Sequence, residues 1–114
     1  MRREFPEVYT NLGYAYLGLN DFDSSQRVFI RSIQLNSELP SAYYGLAISL
    51  EGKKDFVNAI PAMRKFIKLN NANDKYTDKA NAAIREWETK VNRTFQNEGW
   101  TWENYLNAKQ LNSE

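Results

Sequence analysis

The chain has 114 residues, of which 42% are hydrophobic and 14% aromatic, and its 15 basic and 14 acidic side chains leave a formal net charge of +1. This balance argues against a nucleic-acid partner, because binding phosphates by counterion release needs a basic excess. The sequence contains neither cysteine nor histidine, which excludes disulfides, thiolate or imidazole catalysis and Cys/His zinc sites. We therefore expect no cofactor and no metal. Direct membrane insertion is not expected either, because no apolar run approaches the roughly 20 residues of a membrane span.

An internal repeat runs through the first two thirds of the sequence. A fixed period of about 20 to 50 residues is typical of stacked supersecondary units, and here the period is 34 residues. It predicts one unit over residues 6–39 and a second over 40–73. The matching positions include Pro6/Pro40, Tyr9/Tyr43, Leu12/Leu46, Gly18/Gly52, Asp21/Asp55, Phe22/Phe56 and Ile33/Ile67.

Each unit is predicted to be a helical hairpin. Pro6 and Pro40 suit the first position of a helix, where the missing N–H costs nothing. Apolar residues then recur at three- and four-residue steps, and Asp21 and Asp55 stand where the N-cap of the second helix belongs. Pro61 falls inside the last of these helices and removes one hydrogen bond. Two alternatives follow, a kinked helix or a helix that begins late with Asn58 as its cap.

The pattern of aromatic and small residues in these hairpins resembles the tetratricopeptide repeat family. The family's order is an aromatic residue, a Leu-Gly pair, a tyrosine, a small residue, an aromatic residue and a second small residue. The corresponding positions are Tyr9, Leu12, Gly13, Tyr16, Ser25, Phe29 and Ser32 in the first unit, and Tyr43, Leu46, Ala47, Leu50, Ala59, Met63 and Phe66 in the second. The resemblance implies an all-α fold, a right-handed α–α superhelix. Phe66 is large where the family has a small residue, so we expect the next element not to be a standard third repeat.

The C-terminal third is predicted to contain two further helices. A long amphipathic helix over 74–97 should cap the stack, and a short helix over 101–112 should follow, with Thr101 as its N-cap. Residues 1–114 would then form a single domain, either complete or part of a longer protein. The short helix either folds back over the overhang of the long one or docks into a partner or a second copy. The residues of this possible second interface are Trp100, Trp102, Tyr105 and Leu106.

The resemblance also implies a concave groove lined by the first helix of each unit. The corresponding positions are Glu7, Thr10, Asn11, Tyr14, Leu17, Ser41, Tyr44, Ile48 and Glu51. Lysines and arginines that would clamp a terminal carboxylate are missing from these positions, so we expect an apolar or amphipathic segment of another protein, a peptide or a helix, to bind there. The alternative is that Tyr14 and Ile48 pack between the repeats.

These features predict a non-catalytic scaffold or adaptor that binds another protein. An enzyme is not expected, because the carboxylate pairs Asp21/Asp23 and Glu86/Glu88 are two residues apart and do not face each other on a helix. The alternative function is structural self-assembly, as a homodimer built on the C-terminal helices. The compartment is not determined. The cytoplasm is favoured, and a periplasmic or membrane-tethered location stays open if the chain is a fragment.

Overall fold

The structure is a computed structural model that describes residues 3–97, with side chains described as far as residue 93. These residues form five α-helices and no strand. The helices are α1 (Pro6–Gly18), α2 (Phe22–Leu35), α3 (Pro40–Gly52), α4 (Phe56–Asn70) and α5 (Lys75–Asn97). Consecutive helices pack against each other, so that α1 and α2 form one hairpin, α3 and α4 a second, and α5 covers α4. The prediction of an all-α fold with two hairpins and a long following helix is confirmed. The predicted helix over 101–112 lies outside the described residues.

The ends of the hairpin helices follow from local chemistry. Pro6 and Pro40 begin α1 and α3. The Asp21 carboxylate accepts the Ser24 N–H at 3.1 Å and so caps α2. Hydrogen bonds from the side chain and the backbone of Ser24 lower the pKa of Asp21. In the same way, the Asp55 carboxylate accepts from the backbone of the fourth helix and caps it. Both caps agree with the sequence prediction, since an aspartate satisfies N–H groups that have no partner within the helix.

Pro61 lies within α4 without delaying its start. The helix begins at Phe56, and Asn58 donates its N–H to the Asp55 carboxylate at 3.3 Å. The alternative in which Asn58 caps a late helix is therefore wrong. Because proline has no N–H, the Val57 carbonyl, four residues earlier, loses its intrahelical donor. The side chain of Pro61 is exposed, so the ring itself does not disturb the core.

The centre of the first hairpin is the ring of Phe29, which is fully buried. A Cβ atom built at Gly13 would lie 2.5 Å from this ring, and one built at Gly45 would lie 2.2 Å from it. The ring therefore lies against backbone on α1 and on α3 at once. Such close approach requires glycine at both positions, because any side chain would overlap the ring. This contact joins the first hairpin to the second.

Buried hydroxyl pairs join the helices next to Phe29. Thr10 and Ser32 lie 2.7 Å apart between α1 and α2, and Ser25 and Ser49 lie 2.7 Å apart between α2 and α3. One repeat later, the positions of Thr10 and Ser32 are taken by two aromatic rings. These rings, Tyr44 and Phe66, pack edge to face with centroids 4.9 Å apart. The repeat thus keeps its geometry while the contact changes from polar to aromatic.

Helix α5 completes the core of the second hairpin. Its buried face carries Ala80, Ile84, Trp87 and Val91, which join the residues of α3 and α4 in one hydrophobic cluster. The indole of Trp87 is fully buried and donates to the Glu51 carboxylate of α3 at 2.8 Å. Stacked repeats need a terminal element that covers the last apolar face, and α5 does this for α4.

Candidate protein-binding cleft

A cleft of about 480 Å³ opens where α1, α3, α4 and α5 meet. We call it the tyrosine cleft. Its lining combines aromatic rings with a few uncharged polar groups: Tyr14, Pro40, Ser41, Tyr44, Phe66, Asn70 and Tyr76. A concave, largely apolar surface with a small number of polar groups is the usual form of a binding site in proteins.

The aromatic walls of the cleft are held by edge-to-face packing. Tyr44 packs against Phe66 with centroids 4.9 Å apart and against Tyr76 with centroids 6.2 Å apart. Tyr14 packs in the same manner against Phe29, with centroids 5.0 Å apart. Each such pair stabilises its geometry by about 0.5–1.5 kcal/mol beyond the area it buries. The rings that face the cleft are therefore already positioned without an occupant.

Tyr14 is fixed by its hydroxyl as well as by its ring. The hydroxyl donates to the Ser41 carbonyl oxygen at 2.6 Å, across from α1 to α3. Burial, helped by the neighbouring Tyr44, raises the pKa of Tyr14 to about 12. Burial also raises the pKa of Tyr44. Both phenols are therefore neutral hydrogen-bonding groups over the whole physiological pH range.

The far edge of the cleft is set by the start of α5. The Asp74 carboxylate accepts the N–H groups of Tyr76 and Thr77 at 3.1 and 3.0 Å, and it accepts the Asn70 amide at 3.3 Å. The pKa of Asp74 is lowered, first by the backbone hydrogen bond from Thr77. This cap fixes where α5 begins, and it thereby fixes Tyr76, which remains 46% exposed at the mouth of the cleft.

The structure brings three of the predicted groove residues, Tyr14, Ser41 and Tyr44, into the tyrosine cleft. The prediction that Thr10 lines the groove is wrong. It is only 6% exposed, and its hydroxyl contacts Ser32 and the Pro6 carbonyl, so it belongs to the interface between α1 and α2.

The remaining predicted groove residues lie outside the cleft lining. Ile48 is half-buried against the hydrophobic cluster of α3, α4 and α5, and Glu51 is half-buried with its carboxylate engaged by Trp87. Glu7 and Asn11 are exposed on α1, and Leu17 is half-buried. The possible second interface, formed by Trp100, Trp102, Tyr105 and Leu106, lies outside the described residues.

Sequence reasoning missed four residues of the lining: Pro40, Phe66, Asn70 and Tyr76. Phe66 carried a signal, because its size departs from the family pattern at a position that faces Tyr44 within the same hairpin. Tyr76 stands near the start of the long helix predicted over 74–97. It is exposed because it lies in the first turn of α5, where that helix extends past the core toward the cleft.

Within residues 3–97, no group of acidic side chains is placed to hold a metal ion. In the same part of the chain, no helix is both long and apolar enough to cross a membrane.

The fold consists of two stacked helical hairpins and a fifth helix that covers the second one, with a cleft between them. This architecture defines the class of helical-repeat scaffolds. The family model of the tetratricopeptide repeat matches residues 6–39 and 40–73, which is more than half of the chain. The chain belongs to the tetratricopeptide repeat family. These repeats are non-catalytic scaffolds that generally mediate protein–protein interactions.

A further similarity is to protein O-mannosyl-transferase Tmtc3 of Drosophila melanogaster. The two sequences are 32% identical over 62 residues, which is 54% of this chain. The chain spans only 7% of the length of that protein.

Proposed function

We propose that this chain is an adaptor that holds an apolar or amphipathic segment of a partner protein in the tyrosine cleft. The observation that carries the proposal is the composition of the cleft mouth. Tyr14 and Tyr76 are 38% and 46% exposed, and they are held in place by packing and hydrogen bonds before any partner binds. Preorganised aromatic side chains with a polar tip are typical anchors of protein interfaces.

The chemistry of the lining favours a side chain with an apolar body. Ser41 and Asn70 are the polar side chains of the lining besides the tyrosine hydroxyls, and none of the described lining residues is charged. A volume of about 480 Å³ accommodates a few side chains but no folded domain. An amphipathic helix that inserts two or three apolar residues from one face matches this shape, as does a short extended peptide.

The similarity to an O-mannosyl-transferase does not extend the proposal to glycosyl transfer. The matched stretch is a small part of that protein, and the repeat region of this chain is a non-catalytic scaffold. The function proposed for this chain is therefore binding alone.

A blocking substitution at Ser41 tests the proposal without removing a core contact. The Ser41 side chain is exposed and lines the cleft, whereas its carbonyl makes the bond to Tyr14. Ser41→Arg should therefore fill the cleft and leave the fold intact. Ser37→Arg is the matched control, because Ser37 is also exposed but lies outside the cleft lining, with its carbonyl accepting from Tyr43.

The probe is a displayed library of random 16-residue peptides, selected on the native chain. We expect enriched sequences with apolar residues spaced by three or four positions. Their affinity should fall at least tenfold on Ser41→Arg and stay unchanged on Ser37→Arg. No enrichment above an unrelated helical protein, or equal binding to both variants, would show that the cleft is not the binding site.

A further inference from the structure

An apolar stripe runs along the side of α1 that no described residue covers. It consists of Phe5, Val8, Leu12, Ala15 and Leu19. All five are exposed, and Phe5, Val8 and Leu19 keep 54%, 58% and 75% of their surface. Their spacing alternates between three and four residues, which is the heptad pattern by which helices pair along a seam. We call this stripe the α1 seam.

The second hairpin shows what normally covers such a seam. One repeat later, the first four positions are Leu39, Ala42, Leu46 and Ser49, and all of them are buried or half-buried. Ala42 and Ser49 are fully buried at the side of α3 that packs against α2. The same side of α1 therefore has the geometry to receive a helix, and it has none among residues 3–97.

The opposite end of the stack is closed by polar residues. The exposed side chains of α5 include Asp78, Lys79, Arg85, Glu86 and Thr89, all of them polar or charged. A polar outer face is what a terminal element of a repeat stack needs in water. The two ends thus differ, since α5 presents hydrophilic side chains and α1 presents a row of large apolar ones. Such an exposed apolar row marks a surface that pairs with another one.

The residues beside the α1 seam determine which helix can pair with it. One flank carries Tyr9 and Tyr16, and the other carries Asn11 and Gly18. The charge nearest to the seam, Glu4, is already engaged by Arg31 and by the Tyr9 hydroxyl at 2.8 Å. Two identical copies of α1 can therefore approach without opposing like charges. A twofold axis places the same apolar residues on both sides, which makes the seam self-complementary.

We infer that two copies of this chain associate through their α1 seams, in an antiparallel pair about a twofold axis. The pairing leaves the tyrosine cleft open, because Tyr14 lies about 160° around α1 from Leu12 at 3.6 residues per turn. A dimer of this kind presents two clefts. Their joint use strengthens binding to a partner that carries two copies of the recognised segment.

The oligomeric state of the full chain tests this inference. Light scattering after size exclusion should give a dimer at micromolar concentration. Leu12→Glu should weaken association at least tenfold, and Val8→Glu should do the same at a more exposed position. Ala82→Glu on α5 is the matched control, with the same charge change at an exposed site on the polar end. Circular dichroism establishes that each variant keeps its helices.

A disulfide test identifies the paired surface. Since the chain has no cysteine, Leu12→Cys introduces a single thiol near the middle of the seam. Oxidation should convert this variant to a covalent dimer, whereas Ala82→Cys should stay largely uncrosslinked. A native chain that is monomeric up to 100 micromolar would overturn the inference. A dimer that resists both glutamate substitutions would also overturn it, because another surface would then form the contact. The cleft proposal would survive either result.

Discussion

At the scale of single residues, the stability of the fold depends on the close packing around the Phe29 ring. The ring lies against Gly13 on one side and Gly45 on the other, and it is fully buried. A buried ring usually has some freedom to tilt away from a new methyl group. Here a tilt away from one glycine moves the ring toward the backbone at the other, so a methyl group cannot be accommodated at either position.

Gly45→Ala should therefore destabilise the fold by about 1–3 kcal/mol, the usual cost of overpacking a core. Urea unfolding followed by circular dichroism measures the change. Gly18→Ala is the control, because a Cβ at Gly18 has no neighbour within 4 Å. Alanine there should leave stability unchanged or raise it by up to about 1 kcal/mol, since it favours the helix. Equal losses for both variants would contradict the role given to Phe29.

Tyr14 makes stability depend on pH in the alkaline range. Its pKa is raised to about 12 in the folded state, whereas an exposed tyrosine in the unfolded chain titrates near 10. The unfolded chain thus loses this proton first. The stabilisation from Tyr14 is fully present below pH 10 and is lost as the pH rises from 10 through 12.

Tyr14→Phe should remove this part of the alkaline decline. At neutral pH it should cost about 1 kcal/mol, because the hydrogen bond to the Ser41 carbonyl disappears. Urea unfolding of both proteins at pH 7, 10 and 12 measures the difference, which should shrink as the pH rises. A constant difference between the two proteins would show that Tyr14 does not titrate as described.

At the scale of helices, α4 tolerates a residue that helices usually exclude. Pro61 stands in its second turn and removes the donor for the Val57 carbonyl. Packing of the buried side chains Ala59, Ile60 and Met63 against the core outweighs this loss. The sequence predicted either a kinked helix or a late helix start at Pro61 but could not decide between them. The local cost of proline competes with tertiary contacts, which a short stretch of sequence does not contain.

Pro61→Ala should restore the missing hydrogen bond and stabilise the fold by up to about 3 kcal/mol. Thermal unfolding monitored by circular dichroism should show a higher midpoint. Pro40→Ala is the matched control and should change the midpoint little, because Pro40 is the first residue of α3, where no intrahelical N–H is required. A lower midpoint for Pro61→Ala would mean that the ring makes a contact worth more than the hydrogen bond.

At the scale of the whole molecule, α5 completes the hydrophobic core and so stabilises the stack of two hairpins. Two repeats alone bury little continuous core, and stacks of this kind need about three units. The cluster that includes Ala47, Met63 and Phe66 is completed by Trp87 and Val91 of α5. Trp87 also reaches across to α3 through Glu51. The fifth helix therefore stands in for the missing third repeat.

Trp87→Ala should cost about 3–5 kcal/mol, the usual penalty for removing a fully buried aromatic side chain. Guanidinium unfolding followed by far-ultraviolet circular dichroism gives the value. Glu51→Gln keeps an acceptor for the indole N–H and should cost much less. If the two substitutions cost the same, the hydrogen bond and not the packing of the ring would hold α5 in place.

The sequence by itself determined the helical elements of the two repeats. Proline at the first helical position, aspartate at the N-cap and apolar residues at helical spacing act over four or five residues, so a linear pattern contains them completely. The absence of cysteine and histidine likewise excluded disulfides, thiolate or imidazole catalysis and Cys/His zinc sites from the composition alone.

Only the tertiary structure decided which side chains share the cleft. Thr10 and Tyr14 stand one helical turn apart on the same face of α1. Thr10 is nevertheless buried against Ser32 of α2, whereas Tyr14 reaches α3 and lines the cleft. Tyr76 joins Tyr14 and Tyr44 because α5 begins where Asp74 caps it. Which helix a side chain meets depends on packing summed over many contacts, and no local pattern specifies that sum.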